Sequence, residues 1–163
     1  MTNTTTPTIT RLHVHAIDAE RLAAMRSARS DEHGNAFVSI PAEGWEPLRC
    51  CLQIAESGHD IALISYAPLR QASPWREVGP VFVHGTQCDG YQNSSELPSD
   101  LRIGPRVLRS YRADGSLDYD HITVVLDGED IEASLDELLA APEVAEVHVR
   151  AHGAQCFTYA VTR

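Results

Sequence analysis

Two nearly identical pentapeptides carry much of the ligand-type chemistry of this chain: His84-Gly85-Thr86-Gln87-Cys88 and His152-Gly153-Ala154-Gln155-Cys156. Each sets an imidazole and a thiol in a His-x3-Cys spacing just after a β-like run, residues 81–83 in one case and 147–150 in the other. The other two cysteines, Cys50 and Cys51, are adjacent in a third such run. Soft donors thus gather at three strand ends, which points to one shared site. His84, Cys88, His152 and Cys156 would satisfy tetrahedral zinc, and other transition metals accept the same N/S donors. His148 and Cys50 extend the pool. Packing is the plainer role for a strand cysteine such as Cys156.

If Cys50 and Cys51 lie on an extended strand, they point to opposite faces. Cys50 then joins Leu48 and Leu52 on an apolar side. Cys51 shares a polar side with Arg49 and Gln53, where a thiol beside arginine can become nucleophilic, and either Cys50 or Cys51 paired with a His is a candidate nucleophile. A further constellation is cationic. In the last predicted hairpin His148 and Arg150 share a face with Phe157 and Tyr159. With Arg49, Arg109 and Tyr111 they would form an aromatic-lined surface suited to a small anionic molecule. Arg49, Arg109 and Arg150 would bind it, His84 or His148 would move protons, and Tyr111 would donate a hydrogen bond. Glu77, just before a strand, would orient an arginine or act as a base. The plainer alternative pairs Arg109 with Asp120 and Arg150 with a nearby carboxylate, as solvated ion pairs on the sheet face.

Composition narrows the chemistry. The chain has 163 residues and a formal net charge of −10, against a nucleic-acid or anionic-membrane partner. It contains no lysine; all 13 basic side chains are arginine. Schiff-base chemistry and a P-loop lysine are therefore absent. No nicotinamide-binding fingerprint, Ser-His-Asp elbow or His-Glu-x-x-His motif occurs. No cofactor is indicated beyond a transition metal. No apolar run approaches a membrane span, and residues 1–10 are Thr-rich without a secretory pattern. A cytoplasmic protein with reduced thiols is the expectation.

The elements that must hold these residues are short. Residues 8–17 read as a strand, and Asp18 caps a helix over 19–29. Residues 48–55 and 60–67 read as a hairpin with Ser57-Gly58 at its tip, setting Cys50 opposite Ser65, Cys51 opposite Ile64 and Arg49 opposite Tyr66. Residues 80–84 form a short strand, followed by a long polar segment to Pro105. Asp114-Gly115 signals a type I′ hairpin between 106–112 and 117–126, with Arg109 opposite Asp120 and Tyr111 opposite Asp118. Ile131, Leu135, Leu138 and Leu139 make the apolar stripe of a second helix ended by Pro142. Residues 146–151 and 156–161 close a last hairpin. The fold class is α+β: one domain over 11–163 after a flexible lead-in at 1–10, with six or seven mostly antiparallel strands and two helices.

The runs Pro47-Leu48-Arg49-Cys50-Cys51-Leu52, Glu77-Val78-Gly79-Pro80-Val81-Phe82-Val83-His84 with Cys88, Arg109-Ser110-Tyr111, Val147-His148-Val149-Arg150 and Cys156-Phe157 occur in this order. Together they resemble the DUF1203 family of bacterial proteins of unknown function, over nearly the whole chain after Leu12. The resemblance marks Arg49, Cys50, Glu77, His84, Cys88, Arg109, Tyr111, His148, Arg150 and Cys156. Members commonly carry Asn where this chain has Ala151, and His152 lies outside the pattern. That sets His152 apart from the other metal candidates and leaves the His/Arg/Tyr/Cys face the stronger. The leading expectation is an enzyme on an anionic metabolite, of lyase, isomerase or cyclase type. The alternatives are a zinc-like metal protein and a binding module or homodimer built on the exposed sheet face.

Overall fold

A computed structural model describes residues 11–163; the predicted lead-in at 1–10 lies outside the described residues. In chain order the elements are β1 (His13–His15), α1 (Ala19–Ala28), β2 (Ser39–Pro41), β3 (Pro47–Leu48), β4 (Gln53–Ile54), β5 (Asp60–Tyr66), β6 (Gly79–His84), β7 (Arg106–Tyr111), β8 (Leu117–Val125), α2 (Ile131–Ala140), β9 (Glu146–Ala151) and β10 (Phe157–Thr162). The α+β class and the two helices agree with expectation. In place of the expected single sheet of six or seven strands, the described residues hold ten strands in two five-stranded sheets, ordered β1-β10-β9-β7-β8 and β2-β5-β6-β3-β4. Every pairing is antiparallel except β3 with β6. No described helix is long and apolar enough to cross a membrane.

Both helices follow their sequence signals. The Asp18 carboxylate accepts from Arg21 N at 3.0 Å at the start of α1, and Asp130 accepts from Glu132 N and Ala133 N at the start of α2. The stripe Ile131, Leu135, Leu138 and Leu139 is buried. It packs with Val147, Val149 and Val161 of the first sheet and with Leu97 and Leu101 from the long polar segment. Burial of each such side chain is worth about 1.5–3 kcal/mol. A second core joins Leu22 and Met25 of α1 to Ile61, Ile64, Val81 and Val83 of the second sheet, and includes Phe157 from the first.

Three predicted registers differ. The 48–55/60–67 hairpin does not form: β5 pairs with β2 and β6, whereas β3 pairs with β4 and, in parallel, with β6. Residues 49–52 are not strand at all. They make one tight turn in which Leu52 N donates to Leu48 O at 2.9 Å and Leu52 takes a φ of 59°. In the β7–β8 hairpin, Arg109 lies opposite Ile122 and Tyr111 opposite Leu117. Gly115 N closes the turn onto Arg112 O at 2.9 Å with Gly115 at φ 80°, a longer loop than the two-residue turn expected. In β10 a bulge between Phe157 and Tyr159 makes Tyr159 pair with Val149. Phe157 stays on the His148/Arg150 side, while Tyr159 turns into the α2 core.

Candidate metal centre and arginine pocket

The turn at 49–52 creates the most distinctive site. Its helical curl, unlike an extended strand, lets adjacent side chains turn toward one neighbour. The parallel pairing of Leu48 with Phe82, extended by Arg49 N donating to Phe82 O at 2.9 Å, lays this turn against the end of β6. His84 ends β6, and Gly85 then passes so close to β2 that a Cβ there would meet the Ser39 hydroxyl at 2.4 Å. The chain bends back to deliver Cys88. Donor atoms of Cys50, Cys51, His84 and Cys88 all lie within 4.8 Å of one another. His84 Nδ1 is 3.4 Å from Cys50 Sγ and 3.7 Å from Cys51 Sγ. The N-to-S edge of a zinc tetrahedron, built from bonds of about 2.0–2.1 and 2.3 Å, is about 3.6 Å.

The surroundings act on the three thiols in opposite directions. His84 N donates to Cys50 Sγ at 3.2 Å. The main-chain N–H of Gln53 acts to lower the Cys51 thiol and that of Gly90 to lower Cys88. Gly90 reaches that position at φ 75°, a conformation that favours glycine. Arg26 of α1 donates through Nη2 to His84 O at 3.0 Å and brings a positive charge beside the cluster. A shared proton with Cys51, reinforced by burial, pushes the Cys50 thiol up, while the same hydrogen bond lowers Cys51. Burial raises Cys88 and lowers His84, keeping the imidazole neutral with a lone pair to donate. All four cysteines are free thiols.

The metal set expected from the two pentapeptides is therefore corrected in half its members. His84 and Cys88 belong to the cluster; His152 and Cys156 do not. His152 is exposed on the β9–β10 turn, and Cys156 lines a different cavity. An extended strand would face Cys51 away from Cys50; the turn at 49–52 brings both thiols to His84. The adjacent Cys-Cys pair was the available signal, hidden by an assumed strand.

That other cavity, about 400 Å³, is lined by Tyr66, Glu77, Arg109, Arg150, Cys156 and Phe157 among others. Arg109 Nη1 donates to both oxygens of Glu77, at 3.0 and 2.9 Å, and Arg150 Nη2 reaches Glu77 Oε2 at 2.8 Å. Glu77 thus orients two arginines, and the expected Arg109–Asp120 pair is absent among the described ion pairs. The remaining candidates sit elsewhere. Arg49 is only 4% exposed, with Nε donating to Phe157 O at 2.7 Å and Nη1 to Pro47 O; burial pushes its pKa down to about 10. Tyr111 is buried, its ring 4.3 Å from that of His148 between centroids and tilted 41° to it. His148 is 1% exposed, and its Nε2 meets Glu146 Oε1 at 3.1 Å. Neither Arg49, Tyr111, His148 nor His84 lines the arginine pocket. A third cluster, Asp118, His121 and Glu143, already has a cation: Arg112 Nε lies 3.5 Å from Asp118 Oδ2.

No curated protein and no solved structure matches this chain. A family model described as "Protein of unknown function (DUF1203)" matches residues 45–163. The match takes in four of the five strands of each sheet, omitting β1 and β2, and every residue of the cluster and the pocket; it starts later than the resemblance traced from Leu12. With most of its length covered by that one model, the chain belongs to the DUF1203 family.

Proposed function

We propose that this protein binds a zinc-like transition metal through Cys50, Cys51, His84 and Cys88. The observation that carries the reading is the gathering of three thiols and one imidazole nitrogen from a turn, a strand end and a loop, all within 4.8 Å. Soft sulfur donors with one imidazole select zinc over magnesium or calcium. Four protein ligands leave no open position, so the site has the character of a structural centre. Its role is to pin the long segment after β6 to the turn after β3. Metal binding displaces the thiol protons, and the backbone N–H donors and Arg26 offset the resulting negative charge. A reducing compartment such as the cytoplasm would keep these thiols available as ligands.

The acid–base reading has less support. His84 faces sulfur, and His148 is sealed under Tyr111 and Phe157. Neither histidine reaches the cavity where an anion would meet Arg109 and Arg150.

Cobalt(II) substitution tests the proposal. The expected spectrum shows intense thiolate-to-metal charge transfer and tetrahedral d–d bands, lost in Cys51→Ser and Cys88→Ser and kept in Cys156→Ser. A weak octahedral spectrum in the wild-type chain, or equal loss in Cys156→Ser, would sink it.

A further inference from the structure

The second cavity holds an arrangement that the metal centre does not explain. Two guanidinium groups from neighbouring strands of one sheet, Arg109 on β7 and Arg150 on β9, converge on a single carboxylate. That carboxylate, Glu77, comes from the segment between β5 and β6, and its side chain is 52% exposed. The arginines are far less so, at 23% and 7%. The cations are fixed and the anion is on a surface segment.

The donors also outnumber what Glu77 accepts. Arg109 engages it through Nη1 alone, leaving Nη2 and Nε without partners among the described residues. Arg150 donates Nη1 to Gln155 O at 2.9 Å and forms an ion pair through Nη2 with Glu77 Oε2 at 2.8 Å, while its Nε is buried with no partner. A buried guanidinium N–H left unpaired is costly, and Arg150 is only 6% exposed. Beside these donors the cavity wall is apolar: the rings of Tyr66 and Phe157, 5.6 Å apart, with Pro80 and Val81. Tyr66, Pro68 and Phe157 also wall an adjoining cavity of about 530 Å³, so there is room for a carbon skeleton next to the charges.

We infer that Arg109 and Arg150 form a binding site for the carboxylate of a small organic acid, in which Glu77 is the chain's own displaceable stand-in. The planar fork of arginine matches a carboxylate, and Glu77 uses only part of it, meeting Nη1 of Arg109 and Nη2 of Arg150. When a ligand carboxylate enters, Glu77 swings toward solvent and the unpaired N–H groups gain acceptors. The ligand's apolar part then lies on Tyr66 and Phe157. The inference is independent of the metal centre, which draws on none of these residues.

Cys156, in the wall of the same cavity, provides the probe. Its alkylation by iodoacetate and by neutral iodoacetamide is followed by peptide mapping, which reads Cys156 apart from the other three cysteines whether or not they hold metal. In either reaction the sulfur displaces iodide and forms one S–C bond. The denatured chain supplies the reference ratio of the two rates. A cationic cleft concentrates the anionic reagent, and the native ratio is expected to exceed the reference about tenfold. Arg109→Gln and Arg150→Gln should return it to the reference, and Glu77→Gln should raise it further. A native ratio at or below the reference would overturn the inference, as would a fall in Glu77→Gln. Should Cys156 resist both reagents, calorimetric titration with succinate decides. Binding that tightens in Glu77→Gln and disappears in Arg150→Gln supports the site; no binding to either wild type or Glu77→Gln overturns it.

Discussion

His148 shows how one buried side chain makes stability depend on pH. Burial lowers its pKa, against the raising effect of Glu146, so the folded chain holds it neutral. In the unfolded chain it titrates at about 6.5. The folded-state value lies below the unfolded one, so its contribution is complete above about pH 6.5 and is lost as pH falls through the folded value. Melting temperature should therefore decline from about pH 6.5 toward 5. The decline should be shallower in His148→Gln, which stays neutral and still donates to Glu146. His15, also lowered by burial, contributes to the slope that remains. An unchanged slope in His148→Gln would contradict this account. Residue types were the most legible layer of the sequence. Glu77, His84, Cys50, Cys51 and Cys88 all stand out there, as do Arg109 and Arg150. Their grouping did not, because it depends on which strands become neighbours.

The metal reading turns on an element of four residues. As a strand, residues 49–52 would split Cys50 from Cys51 across a sheet; as a turn, they put both thiols beside His84. Periodicity could not reveal this, since β3 and β4 are two residues each, too short to show an alternation. The parallel β3–β6 bridge joins segments separated by more than thirty residues and leaves no local signal. Longer elements were plain: α2 with its buried stripe, and the β9–β10 hairpin apart from its bulge. If metal pins the segment after β6, chelation should raise amide hydrogen exchange over residues 85–96 well before α2 responds. Uniform loss of protection along the chain would instead mean that the metal holds the whole fold; no change at all would mean that it holds nothing.

At the scale of the whole molecule, the two sheets are tied by contacts that no single element predicts. Arg49, from the turn after β3, donates to Phe157 O of β10. Phe157 itself enters the second core. Arg49 thus joins the sheets rather than binding a ligand, and a buried cation was the one role its sequence setting did not suggest. Arg49→Met keeps the side chain's bulk but strands the carbonyl of Phe157. The expected cost is about 1–3 kcal/mol for the carbonyl left unpaired, read as a drop in urea midpoint with an unchanged slope. A variant as stable as the wild type would remove Arg49 from the inter-sheet contact. The acidic surface is a separate property; the charge of −10 bears on solubility and on which ligands approach, not on how the sheets pack.

The measurement that tests the central claim most directly is metal content by plasma mass spectrometry on tag-free protein purified without chelator, with a thiol count on the same sample. The account predicts about one equivalent of zinc or a similar metal per chain and one titratable thiol, Cys156, rising to four once the metal is removed. Metal-free protein with four reactive thiols, and no uptake when zinc is supplied under reducing conditions, would contradict it.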